Sequence, residues 1–249
     1  MSTEYPVMDI SCVAFADQRE AVEHLKSLIR TGAHGYTVAI NAEKIMRCRR
    51  DLPFRELVSN ALIKVPDGAG AVLALRILDG VRSAKIDFPQ STFIAANELG
   101  AGCRLGIIGA SEDSHRAAVE EVRRRYPDAQ IVMNRSGFTP EDQLLAELKE
   151  VRPQLCLLSM GTPKQENFAQ RAVAAGVPCI FVGAGGALDI LSGHAVRAPK
   201  WMVDNYLEWL YRLIQNPSRW RRQLVLPVFV GQLILERLRA GRHPSRAVR

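Results

Sequence analysis

A regular alternation of short apolar runs and helix-length stretches in the second half of the chain constrains the fold most strongly. The apolar runs lie at 104–108, 130–133, 155–160 and 178–182, and the stretches with helical patterning lie near 113–125, 140–150 and 164–175. Strands that are joined by helix-length crossovers form right-handed parallel connections, with helices on both faces of the sheet. The pattern therefore predicts an α/β fold with a parallel sheet.

The first hundred residues alternate in a similar way. Apolar runs occur at 7–14, 36–40 and 62–65, and helical patterning occurs at 19–30, 43–50, 54–60 and 69–79. No Ser/Gly/Pro-rich linker separates the two halves, so the sheet can continue through both. We predict one Rossmann-like catalytic domain over residues 1–195, with parallel strands flanked by helices, and a helical tail over residues 196–249.

The positive charge of the chain is concentrated in this tail. The net charge is +7, and residues 200–249 hold ten Lys and Arg against Asp204, Glu208 and Glu236, whereas the preceding residues hold 23 basic and 23 acidic side chains. Such asymmetry predicts a polyanionic partner, either a nucleic acid or an anionic membrane surface. Charge alone does not decide between the two.

The apolar pattern of the tail favours a membrane surface. The twelve-residue stretch 224–235 is apolar but contains Pro227 and Gly231, and it is shorter than the ~20 residues that a spanning helix needs. It predicts interfacial attachment, with apolar side chains at the headgroup boundary and arginines on phosphates. The alternative is an ordinary helix pair that packs on the domain.

Cysteine and histidine positions indicate neither disulfides nor a metal site. The five cysteines are widely spaced, the five histidines form no HExxH-type spacing, and no DxD motif occurs. The first residues contain no basic segment followed by an apolar one, so we expect no secretory signal and a cytoplasmic location. We expect neither a metal nor a cofactor.

Polar residues that follow apolar runs are the first candidates for a site, because parallel sheets bind ligands at the carboxyl ends of their strands. Asn41 follows one run and Asp67 follows another, directly before Gly68. A carboxylate at Asp67 could act as a general base on a hydroxyl group, and the Gly68-Ala-Gly segment permits close approach to a ligand. The alternative for Asp67 is a helix N-cap.

Two further segments could bind phosphate or a nucleoside. Residues 160–166, with Gly161, Lys164 and Gln165, look like the start of a helix whose free amides could receive a phosphate, although simple capping explains the same residues. Residues 183–189 could hold a nucleotide on Gly185, with Asp189 accepting hydrogen bonds from a base or ribose. A tight glycine turn with a surface aspartate is equally compatible with this segment.

Other features exclude or assist particular chemistries. Residues 104–113 resemble a nucleotide-binding turn but lack GxGxxG, which disfavours a dinucleotide oxidoreductase. Without a DxD-bound metal, a leaving diphosphate needs another positive partner, and the tail arginines could fold over the site to stabilise it or could bind lipid phosphates. These arginines are Arg212, Arg219, Arg221 and Arg222.

Together these motifs resemble the WecG/TagA/CpsF family of bacterial glycosyltransferases over nearly the whole chain. The similar segments are VAINAEK at 38–44, PDGAG at 66–70, MGTPKQE at 160–166, GAGGALDILSGHAVRAPKWM at 183–202 and LEWLYRLIQNPSRWRRQ at 207–223. The resemblance implies transfer of a sugar from a UDP-sugar to a polyprenyl-diphosphate-linked saccharide, with inversion and without a metal. The form of VAINAEK is similar to that of enzymes transferring N-acetylmannosaminuronic acid.

The resemblance also implies roles for individual residues. Asp67 matches the proposed catalytic base, and Asn41 matches an asparagine beside it. Gln165 and Asp189 match positions around the UDP donor. The tail residues Arg212, Arg219 and Arg222 match arginines that complete the site, so the tail would be both membrane anchor and lid.

Two departures from the family pattern concern specificity. Ala39 stands where many relatives carry threonine, and AKIDFPQST at 84–92 replaces a Gly-x-Asp-Leu element. From the resemblance as a whole we expect a UDP-sugar donor, a polyprenyl-linked acceptor, an anionic membrane surface on the cytoplasmic side and no nucleic acid. A monomer and a homo-oligomer are both compatible with the sequence. The lower-ranked alternative is an α/β module that binds nucleic acid through its basic tail.

Overall fold

A computed structural model describes residues 4–78, 80–81, 83–205, 207–217, 220 and 224–240. Its centre is a six-stranded parallel sheet with the strand order β4-β3-β8-β7-β5-β6. The strands are β3 (Gly35–Ile40), β4 (Ile63–Pro66), β5 (Arg104–Gly109), β6 (Gln130–Arg135), β7 (Leu155–Ser159) and β8 (Ile180–Gly183). The predicted α/β class with a parallel sheet is confirmed.

Helices cover both faces of this sheet, as expected for a doubly wound fold. Those of the domain are α1 (Gln18–Arg30), α2 (Ala42–Cys48), α3 (Leu52–Ser59), α4 (Gly68–Leu78), α5 (Phe88–Leu99), α6 (Glu112–Arg125), α7 (Glu141–Val151), α8 (Lys164–Ala174) and α9 (Ala187–Leu191). Side chains alternate along each strand between two cores: Leu155 and Leu157 face α1, α5 and α6, whereas Cys156 and Leu158 face α2, α3 and α8. Both cores therefore consist mainly of apolar side chains.

The apolar run at 7–14 does not join the sheet, so the expected continuation is wrong there. The run falls into two short antiparallel strands, β1 (Glu4–Val7) and β2 (Ile10–Val13), which form a separate hairpin. Met8 lies in the turn with a φ of 57°, a left-handed conformation that reverses the chain within two residues. Cys12 and Val13 still contribute to the two cores.

Three helices form the described part of the tail: α10 (Lys200–Asp204), α11 (Glu208–Gln215) and α12 (Val225–Ala240). Pro227 does not interrupt α12, because it lies in the first turn, where its missing N–H needs no partner. Phe229 and Leu233 of α12 are buried in the core that contains α2. Among the described helices, none is long and apolar enough to cross a membrane.

Candidate active site

Asn41 and Asp67 lie side by side at the carboxyl edge of the sheet. Ile40 at the end of β3 is in register with Pro66 at the end of β4, and the N–H of Asp67 donates to the Ile40 carbonyl at 2.7 Å. The strand register therefore brings the two predicted catalytic residues together. Asn41 also caps α2, because its Oδ1 accepts from the N–H of Lys44 at 2.9 Å.

The first turn of α4 packs closely on α2 and on the tail. Gly68 has a φ of +73° and leaves open space next to Asp67. A Cβ on Gly70 would lie 3.1 Å from the Cβ of Ala42 and 3.4 Å from the ring of Phe229. The tail helix α12 therefore contacts the two helices that begin directly after Asn41 and Asp67.

The Gly161 turn and the start of α8 occupy the same edge, after β7. Gly161 has a φ of +78° with open space beside it, and the exposed Lys164 donates from Nζ to the Gly137 carbonyl at 3.0 Å. Gln165 is buried, and its Oε1 accepts from the N–H of Gly185 at 3.1 Å. Gln165 thus supports the glycine turn after β8, while its predicted contact with a donor stays a prediction.

A buried ion pair, which the sequence patterns did not reveal, joins these two parts of the edge. Lys44 Nζ and Glu166 Oε1 lie 2.8 Å apart, and their side chains are only 8% and 1% exposed. Thr162 Oγ1 also donates to Glu166 Oε1, at 2.9 Å, whereas Glu166 Oε2 has no hydrogen-bond partner among the described residues. The pair fixes the start of α2 against the first turn of α8.

Asp189 lies in α9 and is held by a serine of another helix. Its Oδ1 accepts from Ser114 Oγ at 2.7 Å, and Ser192 Oγ lies 2.9 Å from the same serine oxygen. Ser114 belongs to the first turn of α6, after β5. The carboxylate predicted to contact a nucleoside is therefore oriented by a neighbouring element of the sheet.

The turn after β5 also contributes to this edge, although its sequence lacks a dinucleotide fingerprint. The connection from β5 to β6 runs toward one edge of the sheet, and the connection from β7 to β8 runs toward the other edge. The neighbouring strands β5 and β7 therefore flank the point where the strand order reverses. Open α/β sheets usually bind their ligands in the crevice at this point. Gly109 and Ala110 have φ values of 137° and 60°, and a Cβ on Gly109 would overlap the Ser159 carbonyl. Only glycine permits this close approach of the two turns.

An exposed aromatic ring stands at the rim of this crevice. Phe138 is 81% exposed, in the loop after β6. That loop is held in place because the N–H of Gly137 donates to the Ala110 carbonyl at 2.9 Å, in addition to the Lys164 contact. The pattern of apolar runs did not single out Phe138, since one aromatic residue in a loop has no periodicity.

The tail is tied to the segment that departs from the family pattern. Lys85 Nζ lies 2.6 Å from Glu208 Oε2 at the start of α11, and Asp87 Oδ2 lies 2.9 Å from Arg197 Nη1. Arg212 belongs to α11, and its side chain is not among those described. Arg219, Arg221 and Arg222 lie outside the described residues, so their predicted contacts stay predictions.

The edge as a whole presents Asp67 and Asn41 at one end and the glycine turns with Asp189 at the other. Asp67 and Asn41 follow β4 and β3, the glycine turns follow β8 and β7, and neighbouring strands are about 4.8 Å apart, so the edge from β4 to β7 spans about 14 Å. Within the described part of the chain, no three His, Cys, Asp or Glu side chains come together to hold a metal ion. The arrangement suits transfer of a group between an extended donor and a hydroxyl group.

Comparison with known proteins identifies this α/β protein as an enzyme of the glycosyltransferase class. The profile of the glycosyl transferase WecG/TagA/CpsF family matches residues 6–243, so the chain belongs to this family.

Two relatives from Bacillus share similarity over most of their length. Both are N-acetylglucosaminyldiphosphoundecaprenol N-acetyl-beta-D-mannosaminyltransferases. The protein of Bacillus subtilis (strain 168) is 28% identical over 201 residues, which cover 79% of this chain and 78% of the relative. The protein of Bacillus spizizenii (strain ATCC 23059 / NRRL B-14472 / W23) is 28% identical over 228 residues, which cover 90% and 88%. The family resemblance expected from the sequence is confirmed.

Proposed function

We propose that the protein transfers a sugar, with inversion, from a UDP-sugar to a saccharide on undecaprenyl diphosphate during the assembly of a bacterial surface polysaccharide. The observation that carries this proposal is the pairing of Asp67 with Asn41 by the β3–β4 register, at one end of an edge whose other end holds glycine turns and Asp189. A base for the acceptor and a cradle for the donor thereby share one surface.

In this reaction Asp67 removes the proton from the acceptor hydroxyl as its oxygen attacks the anomeric carbon of the donor. The new bond from carbon to the acceptor oxygen forms while the bond to the UDP oxygen breaks, and the electron pair leaves on the diphosphate. Attack from the face opposite the leaving group inverts the anomeric carbon. Asn41 orients the acceptor hydroxyl beside Asp67.

The other half of the edge binds the nucleotide. Asp189 accepts a hydrogen bond from the ribose, and the exposed ring of Phe138 offers a flat apolar surface for the base. Lys164 and the amides at the start of α8 approach the diphosphate beside the open space at Gly161 and Gly185. Arg212, Arg219 and Arg222 of the tail stabilise the charge on the leaving group, which makes a metal unnecessary.

The tail also brings the acceptor end of the site to the membrane. α12 packs through Phe229 on the helices that follow Asn41 and Asp67, and its outer face exposes apolar side chains. Those that are 45–60% exposed are Val228, Ile234, Leu235 and Leu238. An apolar face of this kind, in a tail whose sequence is rich in arginine, favours a peripheral position on an anionic membrane surface, on the cytoplasmic side. It disfavours nucleic acid, which an apolar face does not bind.

The identity of the donor is tested by measuring UDP release from purified full-length protein. The acceptor is an N-acetylglucosaminyl diphosphate on a polyprenyl chain, and the donors are UDP-N-acetylmannosamine, UDP-N-acetylmannosaminuronic acid and UDP-glucose. We expect acceptor-dependent release with one of the two mannosamine-type donors and little with UDP-glucose. Absence of acceptor-dependent release with every donor would contradict the proposed reaction.

A further inference from the structure

We propose that Ser114 is a positioning residue that fixes the Asp189 carboxylate so that its second oxygen is presented to a ribose hydroxyl of the nucleotide. This inference rests on the proposed function, because it assumes that a ribonucleotide occupies the edge beside Asp189. It adds a residue of α6, a helix to which the sequence motifs assigned no role.

The direction of the hydrogen bond between Ser114 and Asp189 follows from the available protons. An ionised carboxylate only accepts, so Ser114 must donate its single hydroxyl proton to Asp189 Oδ1, at 2.7 Å. The Ser114 oxygen is then left as an acceptor, and Ser192 Oγ lies 2.9 Å from it. Ser114 is 1% exposed, so the donor side of this bond is shielded from water. A charge-assisted bond from a buried donor holds the carboxylate in one orientation.

The orientation leaves Oδ2 facing the glycine turn. The Oδ2 atom lies 3.7 Å from the position that a Cβ on Gly186 would occupy, and a Cβ on Gly185 would meet nothing within 4 Å. The side of the carboxylate that Ser114 does not use therefore lies beside the glycine turn, in which Gly185 leaves free space. A ribose hydroxyl that enters this space can donate to Oδ2.

Ser114 is itself well fixed. Its N–H is bonded to the N-cap Ser111 Oγ at 3.4 Å, and it lies in the first turn of the fourteen-residue helix α6. The bond to Asp189 thus connects the element after β5 with the element after β8, which lie on opposite sides of β7. Loss of the hydroxyl should free the carboxylate to rotate without removing any group that touches the ligand.

The test compares the affinities of the full-length protein for UDP, 2′-deoxy-UDP and 3′-deoxy-UDP by isothermal titration calorimetry. We expect wild-type protein to bind UDP about tenfold or more tightly than at least one deoxy nucleotide, as is typical of a hydrogen bond to a charged group. In Ser114→Ala the affinity for UDP should fall, while the affinity for that deoxy nucleotide changes little. The ratio of the two affinities should therefore shrink to about threefold or less.

Three further variants separate positioning from a purely structural role. Ser114→Cys has a side chain of similar size but donates only weakly, so its ratio of affinities should also shrink. It provides the test if the alanine variant folds poorly. Ser114→Ala should have no further effect on the ratio in an Asp189→Ala background. Ser91→Ala is the matched control, because Ser91 is another fully buried helical serine, with its hydroxyl on Gln18 and the Asp87 carbonyl; it should keep the wild-type ratio.

The outcomes distinguish this inference from the proposed function. A wild-type ratio in both Ser114 variants, or equal wild-type affinity for the three nucleotides, would overturn the role of Ser114 while leaving UDP binding intact. Failure of the wild-type protein to bind UDP at all would overturn the inference together with the proposed donor.

Discussion

At the residue scale, strand register places the candidate base next to Asn41. The bond from the Asp67 N–H to the Ile40 carbonyl continues the β3–β4 pairing by one residue, and Asn41 follows immediately. The positions after both strands are therefore set by the backbone. This explains why two residues 26 positions apart in the sequence lie side by side in the structure.

A buried histidine below the β5–α6 turn makes the stability of the fold dependent on pH. His115 Nδ1 lies 3.0 Å from the Gly109 carbonyl. Burial lowers the pKa of His115 below 6.5, and the hydrogen bond to Gly109 and the nearby Asn134 oppose this only in part. The unfolded chain therefore binds a proton at a higher pH than the folded chain does, and stability is lost as the pH falls below about 6.5.

We predict that the free energy of unfolding, measured by urea denaturation, decreases from pH 7 to pH 5 and that His115→Asn reduces this decrease. Asparagine can retain a donor near the Nδ1 position but does not titrate. Some pH dependence of the free energy of unfolding should remain in the variant, because burial also lowers the pKa of His24. The carboxylates with lowered pKa values, such as Glu121 at about 2, titrate below this range. An unchanged pH dependence in the variant would contradict this assignment.

At the element scale, the Lys44–Glu166 pair connects the helix that begins after Asn41 with the helix that begins after Gly161. Both side chains are almost fully buried. Removing one partner leaves an uncompensated charge inside the protein, whereas replacing both leaves an apolar contact. The pair is therefore better understood as a device that sets the relative position of α2 and α8 than as a source of net stability.

We predict that Lys44→Met destabilises the fold by about 3–5 kcal/mol and that Lys44→Met/Glu166→Met recovers most of this loss. Urea denaturation at pH 7 measures both. Lys26→Met is a suitable control, because Lys26 pairs with Glu23 and with Glu98 at the surface and such pairs contribute about 0–1 kcal/mol. A double variant that is less stable than Lys44→Met alone would show that the pair itself stabilises the fold.

The elements differ in how far their sequence determines them. The periodicity of the sequence predicts β7 and α8 directly. The ends of the apolar runs single out Asn41 and Asp67 as candidate site residues. The apolar pattern did not predict helix α5, because its apolar residues lack a clear helical spacing. Its start does carry local signals, since Asp87 caps the helix and Pro89 lies in its first turn. The hairpin at 4–13 depends on the left-handed Met8, and the Lys44–Glu166 pair joins residues 122 positions apart; neither leaves a local signal in the sequence.

At the scale of the whole molecule, α12 relates the active site to the proposed membrane surface. One face of α12 enters the core through Phe229 and Leu233, and the other exposes apolar side chains. Both interpretations of the tail therefore have a structural basis, since the helix packs on the domain and still presents an apolar surface. Deleting the tail would damage the core, so substitution of the outer face is the sharper experiment.

We predict that Leu235→Glu/Leu238→Glu weakens binding to vesicles of anionic phospholipid by tenfold or more, since each buried leucine contributes about 1.5–3 kcal/mol. Cosedimentation measures this binding. Transfer to a polyprenyl-linked acceptor in vesicles should fall in parallel, while affinity for UDP stays unchanged. Leu52→Glu is the control, because Leu52 is 71% exposed outside the tail. Vesicle binding equal to that of the wild type would exclude this face as the membrane contact.

Acceptor-dependent UDP release by Asp67→Asn tests most directly whether Asp67 is the base of a sugar transfer at the carboxyl edge of the sheet. The amide is similar in size but cannot accept the proton, so we predict that kcat falls by at least about 100-fold while calorimetry shows unchanged affinity for UDP. Turnover within a few-fold of the wild type would contradict the assignment of Asp67 as the base.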